Sequence, residues 1–370
     1  MSQPAVIVEQ SPDPAQVQKN ISPAPATSLD LRGFIDSLSA QGLLRRVSEP
    51  VDWKFELGDI TRRSYVPLLF ENVRGYAGHR VFTNGLCNFP AIALALGIPP
   101  DQSRRAAIRN IRSRIRTPLP PRMVAGAPVL QNILQRRDID FLEFPVPQWS
   151  REESGRYLGT WHLNVTRDPE SGVRNIGVYR MQVLNRNQAT VSTSPRSHLS
   201  RHLAQAEKQG RPLEMAVAIG VPEPVVMAAG ASCPYGSDEF ELAGSLSGEA
   251  VQLIKCRTVD LEVPANSEIV IEGFIHPNRR VKDGPYFDYA GKPNTNPSAF
   301  LFEATSLMFR NNPIFRGAAI GHAGAEDLQL FALLSKLGLL DFHGSRLRHA
   351  LQKNLIKLRL FRGFQFAGRI

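Results

Sequence analysis

MAVAIGVPEPVVMAAGASCPYGSDEFELAGSLSGEAVQLIKCRTVDLEVPANSEIVIEGFI, residues 215–275, is the stretch whose reading decides the fold class. Apolar, partly β-branched runs at 215–221, 225–229 and 268–275 are cut by Gly, Pro and Asn, and each has the length of a buried strand. Within it only 238–246 reads as a helix. The same texture extends upstream through 158–166 and 176–184, interrupted by one further helix at 198–208. Many short strands with few helices predict a barrel or sandwich rather than a doubly wound parallel sheet.

Further upstream the pattern changes. Leu31, Phe34, Ile35 and Leu38 fall at helical spacing, with Gly42 as the stop. A second helix is expected over 55–64, strands over 68–73 and 80–83, and an Arg-rich helix after Pro99-Pro100. A Pro-studded connector, 118–147, marks the expected domain boundary. Residues 1–28, rich in Pro, Ala, Ser and Gln, read as a disordered arm, without the basic start and apolar core of a signal peptide. Past 324 the pattern is helical. The expected units are therefore an arm (1–28), an α/β domain (29–117), a β-rich domain (118–323) and a helical basic tail (324–370).

With 370 residues and 42% hydrophobic composition, the chain suffices for two packed domains. It has no apolar run of about 18 residues, so no transmembrane helix is expected. Its three cysteines, Cys87, Cys233 and Cys256, lie far apart, which argues against a disulfide framework and fits a reducing cytoplasm. The net charge of +10 is concentrated in two places: Arg104, Arg105, Arg109, Arg112, Arg114 and Arg116, and a tail from Arg346 to Arg369 with no acid after Asp341. Such runs favour anionic partners or are solvated helix faces. A nucleic-acid or membrane binder acting through this basic tail is disfavoured as the main function, and it would predict loss of activity at high salt.

Three segments place ionisable residues beside turns. In NIGVYR (175–180), strand alternation puts Arg180 on a face with Ile176 and Val178; an arginine among apolar neighbours needs an anion, while an edge-strand surface pair is the alternative. In SHLSRH (197–202), His198 and His202 share a helix face, a metal-compatible spacing, but no HExxH glutamate is present and a structural pair is the alternative. In KDGPYFDYAG (282–291), Asp-Gly-Pro predicts a turn presenting Asp283 and Asp288, able to hold an arginine and a transferable proton, or else a plain polar hairpin loop.

Together these segments, with DLRGFIDSLSAQGLLRRVSEPVDWKFELGDITRR (30–63), LLFENVRGY (68–76) and IGVPEPVVMAAG through EIVIEG (219–273), resemble in order the UbiD family of decarboxylases. The resemblance implies an N-terminal α/β domain followed by a split β-barrel that binds prenylated FMN. It implies that Asn175, His198 and Glu239 hold a divalent cation, usually Mn2+, with K+ as a further ion, and that oxygen and imidazole ligands suit it. Asn175, Ile176, Arg180, Ser197, His198, Ala229, Gly230 and Glu239 would contact the cofactor. Arg180 falls on the catalytic arginine, and Asp283 and Asp288 on the two acidic positions of the family's loop, an acid–arginine–acid network for binding the carboxylate and delivering a proton. The implied reaction is the non-oxidative decarboxylation, or the reverse carboxylation, of an α,β-unsaturated or (hetero)aromatic acid, with a flavin prenyltransferase as cofactor supplier.

The sequence departs from the family pattern at several positions. Both loop acids are Asp where the family has Glu, and a misplacement of about 1 Å can cost roughly a hundredfold in rate. Phe287 replaces a Gly, and Gly291-Lys292-Pro293 replaces Gly-Tyr-Tyr. The chain is also short of the family's C-terminal α/β domain. In its place Leu347, Leu351, Leu355 and Leu358 form an apolar stripe opposite a basic face. We expect it to dock another subunit in a homo- or hetero-oligomer, ahead of an interfacial membrane helix or a frameshift product. The alternative function is a weakly active or accessory subunit that needs a partner chain to supply the missing domain.

Overall fold

The computed structural model describes residues 30–322 and 324–340. The expected arm at 1–28 and the leucine-striped helix past 341 lie outside the described residues.

The first part runs α1 (Leu31–Ala40), β1 (Arg45–Val47), α2 (Glu56–Arg63), β2 (Leu68–Phe70), β3 (Arg80–Thr83), α3 (Phe89–Ala95) and α4 (Arg104–Arg114). Asp30 caps α1 by accepting from Gly33 N at 2.8 Å, and the helix buries the spaced residues Leu31, Phe34, Ile35 and Leu38. β1, β2 and β3 form one sheet, whose fourth strand comes from Ile314–Arg316, far downstream. The connector is not a free linker: β4 (Arg122–Met123) pairs with residues 252–253, and β5 (Asn132–Gln135) with residues 306–309.

The strand-rich part continues with β6 (Tyr157–Gly159), β7 (His162–Arg167), β8 (Arg174–Gly177), β9 (Met181–Gln182), β10 (Gln188–Val191), α5 (His198–Lys208), β11 (Leu213–Ile219), α6 (Glu223–Ala229), α7 (Glu239–Ser247), β12 (Gln252–Lys255) and β13 (Glu262–Pro264). It ends with the long hairpin β14 (Ile269–Phe287) and β15 (Pro293–Phe309), then β16 (Ile314–Arg316) and α8 (Glu326–Leu337). A seven-stranded antiparallel sheet has the order β10-β15-β14-β11-β7-β8, with β5 added on β15.

β11 shows why the deciding stretch is so uniformly apolar. Met215, Val217 and Ile219 enter one hydrophobic core and Ala216 and Ala218 the other, so the strand is covered on both faces and alternation disappears.

Three local expectations are corrected. Residues 225–229 are helix α6, not a strand: Pro224 occupies the first turn, where its missing N–H costs nothing, and a short apolar run carries no period to separate the two states. Asp283-Gly284-Pro285 is no turn but lies inside β14, where register shifts at 281–286 bulge the strand and the Gly284–Pro285 bond is cis. The reversal comes later, where Gly291 N donates to Asp288 O at 2.9 Å and Gly291 takes φ +71°. Finally, Arg180 lies in the break between β8 and β9 rather than in a strand, and Val178 is exposed while Ile176 is buried.

Among the described residues no helix is long and apolar enough to cross a membrane.

Candidate functional site

The β8–β9 break, the 192–195 loop, the end of the β14–β15 hairpin, the C-terminus of α6 and the start of α8 surround one cavity of about 1620 Å3. Its wall includes Trp161, Arg180, Ala229, Asp288, Lys292 and Asp327.

Arg180 and Asp283 meet at this wall. Arg180 Nε donates to Asp283 Oδ1 at 2.6 Å and Nη2 lies 2.5 Å from the same oxygen. Asp283 is fully buried, and its other oxygen accepts from Thr190 Oγ1 at 2.6 Å. The bulged strand brings this short side chain to the guanidinium, which also sits 5.1 Å from the Tyr286 ring centre. Burying the carboxylate is tolerated because the guanidinium answers its charge.

Asp288 lines the same cavity but makes no ion pair with Arg180. Its oxygens accept from Ala290 N at 2.9 Å and Asn294 Nδ2 at 3.1 Å, within its own hairpin. The expected network therefore has one arm closed in this structure and the other open.

Behind the cavity wall, Asn175, His198 and Glu239 converge from the ends of three elements. His198 Nδ1 lies 3.1 Å from Asn175 Oδ1 and 3.5 Å from Glu239 Oε1. Glu239 Oε2 accepts from Ile176 N at 3.0 Å, which ties α7 to β8. Adjacent donors around a small divalent ion bound at roughly 2.1 Å stand about 3 Å apart, so these spacings fit such an ion. Asn175 is buried, and its Nδ2 makes no hydrogen bond of normal geometry. Among the described residues no three His, Cys, Asp or Glu side chains make a metal-type cluster; this set counts an amide instead.

Of the other residues expected at the cofactor, Ala229 and Gly230 line the cavity. Ser197 caps α5, accepting from Ser200 N at 3.1 Å, and shares a 2.5 Å hydrogen bond with Thr193. His202 belongs elsewhere: it is buried, bonds Thr166 Oγ1 at 3.0 Å, and burial brings its imidazole down to about 4. Both histidines pack edge-on against Tyr235.

Several participants were not visible in the sequence. Thr190 and Gln182 brace Asp283 and Gly284. Burial pushes Asp327, at the start of α8 on the cavity wall, up to about 7, and neither of its oxygens makes a hydrogen bond of normal geometry. Burial likewise raises Glu153 to about 7, against the pull of Arg62. Beneath the site, Arg316 bridges Glu223 at 2.8 Å and Glu326 at 2.5 Å, all fully buried. An arginine inside the apolar run Ile314–Ala319 was the one available signal for that triad.

The family model for the 3-octaprenyl-4-hydroxybenzoate carboxy-lyase Rift-related domain matches residues 122–323, and that for the N-terminal domain of the same family matches 35–111. The chain belongs to the UbiD family. Its UbiD relatives include the pyrrole-2-carboxylic acid decarboxylase of Pseudomonas aeruginosa, 33% identical over 330 residues, covering 85% of this chain and 66% of that protein. The phenolic acid decarboxylase of Bacillus subtilis is 31% identical over 306 residues, covering 79% of this chain and 64% of the relative. Among solved structures, an evolved dimeric form of the UbiD-class enzyme HmfF from Pelotomaculum thermopropionicum in complex with prFMN has TM-score 0.76 and 34% identity over 82% of this chain and 70% of that one. The vanillic acid decarboxylase of Sedimentibacter hydroxybenzoicus in its closed form gives TM-score 0.79 and 29% identity over 82% and 67% of the two chains. The chain thus spans 64–66% of the length of these curated relatives. The structural likeness assigns it the mixed α/β architecture of UbiD-class enzymes.

Proposed function

We propose that this chain carries the cofactor- and substrate-binding region of a non-oxidative decarboxylase that acts on an α,β-unsaturated or (hetero)aromatic carboxylic acid with prenylated FMN. The observation that carries this reading is Arg180, pinned by buried Asp283 on the wall of a cavity that also holds Asp288. The relatives' names, a pyrrole-2-carboxylic and a phenolic acid decarboxylase, support the substrate class, and the prFMN complex of HmfF supports the cofactor.

Arg180 stays charged at any working pH; with Asp283 on one edge of the guanidinium and Nη2 also donating to Asn294 O at 3.4 Å, Nη1 is left to a substrate carboxylate. Bound prenylated FMN would supply the electron sink for the pair left on carbon when CO2 departs. What this chain must then add is orientation and a proton. Asp288, held only by neutral donors at the hairpin end, delivers that proton. Asn175, His198 and Glu239 would hold Mn2+, whose charge offsets the flavin phosphate, while Ala229 and Gly230 keep the wall low enough for a ring system.

Co-expression with a flavin prenyltransferase tests the reading. The purified protein is expected to show a flavin spectrum and to carry manganese. It should also release CO2 from at least one member of an acrylic, furoic and aromatic acid panel. Folded protein that takes up no flavin and releases no CO2 would sink it.

A further inference from the structure

Donor and acceptor bookkeeping around Asp283 singles out a residue that the acid–arginine pair leaves out. Thr190, on β10, is fully buried. Its Oγ1 accepts from Gln182 N at 2.9 Å and lies 2.6 Å from Asp283 Oδ2. An amide can only donate, so the hydroxyl's lone pair answers Gln182 and its single proton goes to Asp283. The other oxygen of Asp283 already faces two nitrogens of Arg180, at 2.6 and 2.5 Å. Three donors on two oxygens leave the carboxylate one position and one orientation.

Gln182 extends the grip to the backbone. Its Oε1 accepts from Gly284 N at 2.9 Å, and its Nε2 donates to Ser154 Oγ at 2.8 Å. The β9–β10 hairpin therefore holds both the Asp283 side chain and the amide of the residue after it. A single methylene separates this carboxylate from its strand, so any turn about its side-chain bonds moves the guanidinium that it carries.

We propose that Thr190 is a positioning residue: its hydroxyl locks Asp283 in the orientation that presents Arg180 to the cavity, and so sets how tightly a substrate carboxylate is held. This rests on the decarboxylase reading of the site. Without the hydroxyl, Asp283 Oδ2 is a buried acceptor with no donor, and the side chain rotates to recover one.

The test compares Thr190→Val, which keeps shape and removes the donor, with Thr190→Ser, which keeps the donor. Both are made in the full chain co-expressed with a flavin prenyltransferase. Benzoate binding is followed by calorimetry, and CO2 release is followed on whichever acid the unmodified protein turns over. Thr190→Val is expected to weaken benzoate binding about tenfold and to lower kcat/KM by about a hundredfold, the scale of a roughly 1 Å misplacement. Thr190→Ser should restore both to within about threefold. If Thr190→Val does not fold, Thr190→Ala against Thr190→Ser makes the same comparison.

Unmodified protein that works while Thr190→Val binds and turns over equally well overturns the proposal alone. So does a serine variant as impaired as the valine, because loss would then follow packing and not the hydroxyl. Unmodified protein that neither binds benzoate nor releases CO2 overturns the decarboxylase reading, and the proposal falls with it.

Discussion

Two carboxylates five positions apart have very different neighbours. Asp283 is buried, ion-paired and doubly held, whereas Asp288 accepts only from Ala290 N and Asn294 Nδ2 at the hairpin end. In the proposed reaction the first positions Arg180 and the second supplies the proton. Asp288→Asn is therefore expected to lower kcat by about 100- to 10,000-fold, the range of a lost general acid, while leaving benzoate binding nearly unchanged. Unchanged turnover in that variant would remove Asp288 from the chemistry. Arg180→Lys keeps the charge but loses the fork that serves Asp283 and a substrate carboxylate together. It should raise KM by about tenfold or more in steady-state kinetics.

Among the elements, the bulged β14 matters most to the site. Gly284 takes φ +97°, and a Cβ there would stand 2.7 Å from Asn294 O on β15. Gly284→Ala must strain the backbone or part the hairpin, beside the residue that holds Arg180. A loss of about 1–3 kcal/mol in urea unfolding is expected, together with weakened benzoate binding. The sequence presented this segment as a Gly-Pro turn, which was a sound local reading. The cross-strand partners of β15, invisible to local pattern, pulled it into a strand instead. Helix α6 is the converse case: five apolar residues permit either state, and packing against β7, β8 and α7 selected the helix.

Across the whole molecule, buried ionisable groups tie the first sheet to helices α6 and α8 and impose a pH dependence. Arg316 on β16 binds Glu223 of α6 and Glu326 of α8, and Glu326 also accepts from Asn84 N and Leu86 N. Arg316→Met would leave two buried carboxylates facing each other, so a loss of about 3–5 kcal/mol is expected in denaturant unfolding. Asp327 acts in the opposite sense. Its folded-state pKa is raised to about 7 by burial, so the folded chain holds a proton that the unfolded chain releases near pH 4. The stability linked to that proton is complete below pH 4 and is lost as pH rises through about 7; Glu153, raised to about 7, adds to the same trend. Thermal melts should accordingly show a falling Tm between pH 5 and pH 8. Asp327→Asn should flatten that fall and raise Tm at pH 8; an unaltered slope would show that Asp327 does not carry it.

By itself the sequence determined where helices α1, α2, α4 and α5 lie, because apolar spacing and the Gly and Pro residues that bound helices are local facts. It also determined the family, through motifs that survive in order along the chain. Tertiary structure alone decided that β16 returns to the first sheet and that residues 283–287 are strand. It also decided that Thr190 reaches Asp283 while Asp288 does not reach Arg180. Each of these depends on groups far apart in sequence whose approach is set by strand register and by the bulges that shift it. Neither register nor bulge has a local signature, because both follow from which strands pair and from the two cores that cover them.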